Sequence, residues 1–224
     1  MEKFNPTPGL SADDQARIRC LAPRLKSMLD QSTYVNYAQA EQDCQLLAAK
    51  VLGTYSQYEL NAFRFIPIPR GGYIVLGMLA YALGLNAENF ATPRRDDPIV
   101  IVDDCALTGA RLGRTISQLG NRHIVFIHLY SHPELRNAIL ERETRIRNCF
   151  AAHDLVDRAK EFYKTDEKYE TWKQCFRNHL GPYRYWFGIT DPVAFAWSEP
   201  DAPFWNPENE TLEDGWRFLP PQLC

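Results

Sequence analysis

The sequence predicts an α/β fold, a Rossmann-like, open and mainly parallel sheet flanked by helices. Apolar segments of strand character alternate with segments of helical spacing, and this alternation requires right-handed crossovers and hence a parallel sheet. The second strand is followed by two acids and a small-residue loop that opens a helix, the arrangement found at the ligand crevice of such sheets. With 224 residues and 45% hydrophobic residues, the chain can bury one proper core.

The strand segments are rich in residues that favour β-structure or are continuously apolar, as buried parallel strands are. They cover residues 63–68, 99–102 and 123–130.

The helical segments carry apolar residues three or four positions apart. They are predicted over residues 38–52, 73–83 and 110–119, with a further helix from Pro133. Gly84 supplies a stop for the helix over 73–83, and Ser131 supplies a cap before Pro133. An N-terminal helix is also predicted after Ser11, on the spacing of Ile18, Leu21, Leu25 and Leu29.

Composition narrows the classes of function. A net charge of -3 argues against a nucleic-acid-binding protein. The apolar stretch over residues 73–85 is shorter than the roughly 20 residues needed to cross a bilayer, and the N-terminus lacks the pattern of a secretory signal, so we expect a cytoplasmic protein without a membrane partner. The six cysteines form no Cys-x-x-Cys pair, which indicates reduced, mostly buried thiols.

The composition changes near residue 160. All five tryptophans follow residue 170, namely Trp172, Trp186, Trp197, Trp205 and Trp216, and prolines are frequent there. We therefore predict two regions: an α/β core with N-terminal helices over residues 1–158, and an irregular, aromatic-rich C-terminal hood over residues 159–224 that folds over the sheet.

The most informative segment runs from Ile99 to Arg111. Its helix N-terminus offers main-chain amides to an anion, and Asp103 and Asp104 offer acceptors to hydroxyl groups. A ligand that carries both hydroxyls and a phosphate needs both kinds of partner. The segment therefore predicts a sugar phosphate site.

Residues 100–110 resemble the phosphoribosyl pyrophosphate (PRPP) signature of the type I phosphoribosyltransferases. The sequence Pro69-Arg70-Gly71-Gly72 resembles the pyrophosphate loop of that family, and it follows an earlier strand, in the order that the family shows. The resemblance spans roughly residues 35–150.

The resemblance implies a role for each matching residue. Asp103 and Asp104 would be catalytic, accept hydrogen bonds from the ribose 2- and 3-hydroxyls, and hold Mg²⁺ through the ribose or water. Arg70, Gly71 and Gly72 would hold the pyrophosphate. The 5-phosphate would lie in a loop formed by Cys105, Ala106, Leu107, Thr108, Gly109 and Ala110.

The reaction implied is displacement of pyrophosphate from C1 of PRPP by a nitrogen nucleophile, in a protein that forms a homodimer. Arg111 stands where the family usually has threonine or serine. It either binds the phosphate or points to solvent.

The sequence departs from the family at two points. The family's long flexible loop is absent or very short, because residues 73–102 are mostly used by a helix and a strand; Arg94 and Arg95 in the remaining connector either reach the pyrophosphate or are solvated. Leu107 replaces the aspartate that assists proton transfer in enzymes for 6-oxopurines. Hypoxanthine, guanine and xanthine are therefore not expected as acceptors.

The aromatic hood is the candidate for recognising the acceptor. The alternative, favoured for any individual tryptophan, is that the rings build a small secondary core. The candidate recognition residues are Trp186, Trp197, Glu199, Asp201 and Trp205. His153 and Asp154 could form a general-base pair, but a surface helix position is the favoured interpretation.

Two hypotheses follow. The first is a magnesium-dependent phosphoribosyltransferase that acts on a small nitrogenous acceptor other than a 6-oxopurine. The alternative is a regulatory protein that senses PRPP or a nucleotide, and whose C-terminal segment docks to a partner. The absent loop favours the second hypothesis, because an open site would leak the activated sugar to water.

Overall fold

The structure is a computed structural model, and it describes residues 11–13, 16, 32–120, 123–158, 165–178, 183–186, 188, 190–197, 203–206 and 211–214. The strands are β1 Thr33–Val35, β2 Arg64–Pro67, β3 Ile99–Val102, β4 Cys105–Ala106, β5 Ile124–Ser131, β6 Ile146–Asp154, β7 Val193–Phe195, β8 Pro203–Asn206 and β9 Thr211–Asp214. The helices are α1 Tyr37–Leu52, α2 Gln57–Ala62, α3 Gly71–Ala82, α4 Ala110–Ser117, α5 Pro133–Arg142 and α6 Asp166–Asn178, with a 3-10 turn at Ala87–Phe90.

The main sheet is parallel throughout, in the order β2, β3, β5, β6. Strand β4 pairs with the end of β5 at Tyr130 and Ser131, and since β6 occupies the other side of β5, β4 lies on the side of β3. The predicted α/β fold class with a parallel sheet and flanking helices is confirmed.

Two hydrophobic layers cover the sheet. Val125, Ile127 and Leu129 of β5 face a core with α1 and α3, whereas Ile124 and Phe126 face a second core with α4 and α5. Every residue of β5 is buried, which explains why this strand reads as a nearly continuous apolar run.

The helices begin and end close to the predicted residues, for identifiable reasons. Asn36 caps α1 by accepting from the amide of Gln39 at 2.9 Å. Helix α3 ends at Ala82, and Gly84 takes a φ of +59° that favours glycine. The cap of α5 is His132, not Ser131 as predicted, because the His132 ring accepts from the amide of Glu134.

Sequence reasoning missed β1, α2 and β6. The residues of β6 alternate poorly between buried and exposed, because the strand lies at the edge of the sheet. The prediction that the chain is irregular after residue 159 is wrong for α6, whose first turn carries Asp166 and Glu167, favourable charges at a helix N-terminus. Most of the helix predicted after Ser11 lies outside the described residues, and the domain boundary stays a prediction.

The C-terminal segment reaches the site through a small second sheet. Strand β7 pairs with β1 in parallel, and the Ala196 amide donates to the Val35 carbonyl at 3.0 Å. This pairing brings Trp197 to the first turn of α1, where its ring lies 5.5 Å from that of Tyr37. No helix in the described part of the chain has the length and apolarity to cross a membrane.

Candidate functional site

The two acids lie at the carboxyl end of β3, where the chain steps towards β4. The Asp103 amide donates to the Ile127 carbonyl at 3.0 Å, and the Asp104 carbonyl accepts from the Leu129 amide at 3.0 Å, so β5 fixes both residues. Asp103 and Asp104 are only 1% and 3% exposed. Buried carboxylates need partners, and the surrounding chain supplies them.

Arg111 and Trp197 contact the acids through their side chains. Arg111 Nε lies 3.3 Å from Asp103 Oδ2, and Arg111 Nη2 lies 3.1 Å from Asp104 Oδ1. The indole Nε1 of Trp197 donates to Asp104 Oδ2 at 3.1 Å. The Asp104 amide donates to the remaining oxygen, Asp103 Oδ1, at 2.9 Å, and the Cys105 amide donates to Asp104 Oδ1 at 2.8 Å. Every oxygen of the acid pair therefore has a donor within the chain.

Burial raises the pKa of Asp103 well above its usual range. The positive charge of Arg111 opposes this shift, whereas the negative charge of Asp104 adds to it. Two adjacent buried carboxylates are expected to share one cation in this way.

The loop after the acids surrounds a cavity of about 130 Å³. Gly109 adopts a φ of +77° immediately before α4, so the loop turns its main chain into a helix N-terminus. Thr108 Oγ1 accepts from the Ala110 amide at 3.3 Å. The lining residues are Asp103, Cys105, Ala106, Leu107, Thr108, Gly109, Ala110, Arg111, Leu112 and Phe126. The residues predicted to hold a 5-phosphate thus surround one cavity.

The Arg70 loop is in direct contact with the acids. Helix α3 begins at Gly71, where an added Cβ would overlap the Asp104 carboxylate, and a Cβ at Gly72 would overlap the Val102 carbonyl. The peptide between Pro69 and Arg70 is cis, and Arg70 itself is exposed. Both glycines therefore allow the two motifs to meet.

One implied role in this loop needs correction. The Gly72 amide donates to the Ile68 carbonyl at 3.0 Å, so it is not free to hold a pyrophosphate as the resemblance implied. Arg70 and Gly71 keep that role as a prediction.

The connector before β3 runs at the opposite edge of the sheet. Arg94 and Arg95 precede the first residue of β3, Ile99, whereas Asp103 and Asp104 follow the last residue of β3. The Arg94 amide donates to Asp97, whose carboxylate also lies 3.6 Å from Arg64 Nε at the start of β2. The interpretation that this connector reaches the pyrophosphate is therefore wrong. Within residues 71–102, all of which the structure describes, no loop returns to the carboxyl edge.

The candidate recognition residues of the hood separate into three groups. Trp197 contacts the acid pair. Trp186 stacks on His132 at 4.5 Å and donates to Glu134 Oε2 at 3.0 Å, so it packs on the start of α5. Glu199 and Asp201 lie outside the described residues, and Trp205 lies in β8 without a described side chain.

The C-terminal segment also covers the loop over residues 105–110. The Tyr185 amide donates to the Thr108 carbonyl at 2.9 Å, and a Cβ at Gly109 would lie 2.6 Å from the Tyr185 ring. Phe195 is buried in the core, stacked on Trp197 at 5.0 Å. Some hood aromatics therefore build a core, while Trp197 is at the site.

Sequence reasoning missed a polar cluster at the carboxyl ends of β5 and β6. Asp43 of α1 is buried and accepts from Tyr130 Oη at 2.7 Å and from Gln39 Nε2 at 2.8 Å, and its Oδ1 lies 2.7 Å from His153 Nε2. Burial, and then the hydrogen bond to Asp43, raise the pKa of Tyr130, so its phenol stays protonated. The pattern of α1 gives one signal, a charged residue on its apolar face.

His153 lies in a strand, which corrects its interpretation as a surface helix residue. Its neighbour Asp154 instead pairs with Arg136, at 2.6 Å. Adjacent residues of a strand point to opposite faces, so the pair considered from sequence cannot form.

Magnesium is the metal that the resemblance implies. Among the described residues, no group of three or more His, Cys, Asp and Glu side chains could hold a metal. Mg²⁺ is often held by one or two carboxylates together with substrate phosphates and water. The acid pair fits that mode of binding and does not form a cage of its own.

Comparison with known proteins finds similarity to solved structures over part of the chain. The chain matches no protein family profile and no curated protein. A purine phosphoribosyltransferase from Pyrococcus horikoshii Ot3 is 23% identical over 46% of this chain and 80% of that chain, with a TM-score of 0.36. A hypoxanthine-guanine phosphoribosyltransferase from Schistosoma mansoni, solved with IMP, is 13% identical over 55% and 71%, with a TM-score of 0.37.

A hypoxanthine-guanine-xanthine phosphoribosyltransferase is 11% identical over 53% of this chain and 78% of that chain, with a TM-score of 0.34. These three similar structures are phosphoribosyltransferases. With TM-scores of 0.34 to 0.37, these similarities carry no argument about the fold or the function of this chain. The properties of the site rest on its own geometry.

Proposed function

We propose that this protein binds PRPP together with Mg²⁺ and transfers its phosphoribosyl group to a small nitrogenous acceptor, releasing pyrophosphate. One observation carries the proposal. Three parts of the chain meet at one edge of the sheet: the acid pair Asp103 and Asp104, the loop over residues 105–110, and the loop over residues 69–72. Gly71 lies against Asp104, and Asp103 lines the cavity.

The residues have distinct tasks in this proposal. The loop from Cys105 to Ala110 holds the 5-phosphate with main-chain amides and the Thr108 hydroxyl. Asp103 and Asp104 accept the ribose hydroxyls, which requires Arg111 or Trp197 to release them. Arg111 can then turn its guanidinium to the phosphate, for which its planar fork is suited. Arg70 supplies positive charge to the leaving pyrophosphate, and Gly71 supplies the N-terminus of α3.

Bound Mg²⁺ would neutralise charge that develops on the leaving pyrophosphate. Asp103 and Asp104 are the residues that would hold it, through the ribose hydroxyls or water. The homodimer implied by the resemblance stays a prediction.

The acceptor is not a 6-oxopurine in this proposal. Leu107 lies at the cavity with 9% exposure and offers neither a proton donor nor an acceptor. Hypoxanthine and guanine are therefore expected to give no release of pyrophosphate above the background.

A second function is supported by the donors that the chain itself supplies to the acid pair. A sensor of PRPP or a nucleotide needs the same binding residues and no closing loop, and Trp197 would report the ligand to the C-terminal segment. Under this alternative the protein binds PRPP tightly without turnover.

Two measurements on one preparation test the proposal. The unfolding temperature is measured with and without Mg²⁺ and PRPP, and pyrophosphate release is followed with purine, pyrimidine, imidazole and pyridine bases and with amines. Release that one acceptor stimulates supports the transferase. Binding without release supports the sensor, and absence of both rejects the site.

The matched variants are Asp103→Asn with Asp104→Asn, and Asp154→Asn at the same edge of the sheet, where the carboxylate pairs with Arg136. The double variant should lose the thermal shift caused by PRPP, and Asp154→Asn should keep it. An unchanged shift in the double variant would remove the acids from the site.

A further inference from the structure

We propose that His153, held by the buried carboxylate of Asp43, is the general base that takes the proton from the incoming nitrogen nucleophile. This inference rests on the proposed function and names its missing acid-base group. The acceptor class it implies is a planar nitrogen heterocycle with an acidic ring N–H.

The first support is the orientation of the imidazole ring. Asp43 is 2% exposed and already accepts hydrogen bonds from Tyr130 and Gln39, so its carboxylate acts as an acceptor. His153 Nε2, 2.7 Å from Asp43 Oδ1, must then carry the hydrogen. This arrangement leaves Nδ1 as the basic nitrogen. The His153 side chain is 38% exposed, so a ligand can reach it.

The second support is the position of His153 relative to the acids. In the register of the sheet, Cys105 pairs with Tyr130 and Tyr130 pairs with His153. Neighbouring strands lie about 4.8 Å apart, so the Cα atoms of Cys105 and His153 are about 10 Å apart. A pentose held by Asp103 and Asp104 and a ring bonded to its C1 together span a distance of that order.

The third support is a continuous series of aromatic contacts between the two groups. The His153 ring stacks on Tyr130 at 5.0 Å, and Tyr130 contacts Phe195 edge to face at 5.9 Å. Phe195 stacks on Trp197, which donates to Asp104. Tyr130 and Phe195 are buried and hold the partly exposed rings of Trp197 and His153 in place, and those two rings suit a flat acceptor.

The step balances in atoms and electrons. The lone pair of the ring nitrogen forms the bond to C1, the bond from C1 to the pyrophosphate oxygen breaks, and its electron pair leaves with pyrophosphate. The proton of the ring nitrogen moves to Nδ1 of His153. No other reactant is required.

The test compares His153→Gln with Asp154→Asn. Glutamine at 153 can still donate an N–H to Asp43 but has no basic nitrogen, whereas Asp154→Asn changes the next residue of the same strand, whose carboxylate pairs with Arg136. For His153→Gln we expect kcat to fall about 100-fold or more, with an unchanged KM for PRPP and an unchanged thermal shift with Mg²⁺ and PRPP. Asp154→Asn should keep kcat within about threefold, with a lower unfolding temperature at most.

Three outcomes would overturn the assignment. The first is a near-normal kcat in His153→Gln, and the second is an equal loss of kcat and of unfolding temperature in the two variants. The third is a wild-type protein that binds PRPP but does not release pyrophosphate with any of the acceptors tested. Failure of the proposed function looks different, because the wild-type protein would then gain no thermal stability from Mg²⁺ and PRPP.

Discussion

The indole N–H of Trp197 donates to Asp104 Oδ2 at 3.1 Å, across 93 positions of sequence. In the proposed function this oxygen must accept a ribose hydroxyl. Trp197 therefore competes with the ligand for one acceptor. In the ligand-free protein this Asp104 oxygen is already hydrogen-bonded to the indole.

Replacing Trp197 with phenylalanine should tighten PRPP binding. The phenyl ring can keep the contact with Phe195 but has no N–H to donate, so the ligand no longer has to displace a hydrogen bond to a charged group. We expect Kd to fall by about fivefold, measured by calorimetry with Mg²⁺ present.

Trp186→Phe is the matched control, because Trp186 also donates to a carboxylate, that of Glu134, away from the acids. Its Kd should stay unchanged. Weaker binding in Trp197→Phe would instead mean that the indole holds the ligand directly.

The sequence could predict the centre of the site because its contacts are local in the chain. Asp103, the loop to Ala110 and the start of α4 follow one another, so a strand, two acids and a glycine turn are enough to place a cavity there. The contact between Gly71 and Asp104 was also foreseeable, since parallel strands end at the same edge of the sheet.

The partners of the acids were harder to predict. Arg111 lies in the first turn of α4, and its direction depends on the burial of two charges rather than on any local pattern. Trp197 reaches Asp104 only because β7 pairs with β1, and neither three-residue strand has a signal of its own. The Asp43 cluster joins α1 to β5 and β6 across the fold, which no spacing in the sequence reveals.

Gly71→Ala should destabilise the protein and abolish PRPP binding. The added methyl group would overlap the Asp104 carboxylate, so α3 or the acid must move. We expect a loss of about 1–3 kcal/mol in the free energy of unfolding, measured with urea, together with loss of the thermal shift caused by PRPP.

Gly77→Ala in the same helix is the control, because a Cβ there would have no atom within 4 Å. This variant should gain about 0.5–1 kcal/mol and bind PRPP normally. Equal behaviour of the two variants would show that the contact at Gly71 is not tight.

Arg111→Gln should leave two buried carboxylates without their cation. We expect a loss of about 2 kcal/mol in the free energy of unfolding, less than for a fully buried pair because Arg111 is 38% exposed. Adding Asp103→Asn should recover about half of that loss, since one negative charge is removed. A double-mutant cycle in urea measures this coupling, and strict additivity would refute it.

The stability of the fold should depend on pH through Asp103. Burial raises the pKa of its carboxyl in the folded protein, so the folded state binds this proton more tightly than the unfolded state does. The resulting stabilisation is complete below the unfolded pKa, near 4, and is lost as pH rises through the raised folded pKa. Relative to Asp103→Asn, which does not titrate, the wild-type protein should therefore lose stability as pH rises from about 4 through the raised folded pKa. Urea unfolding of both proteins across this range measures the difference, and a difference that stays constant with pH would contradict the shift.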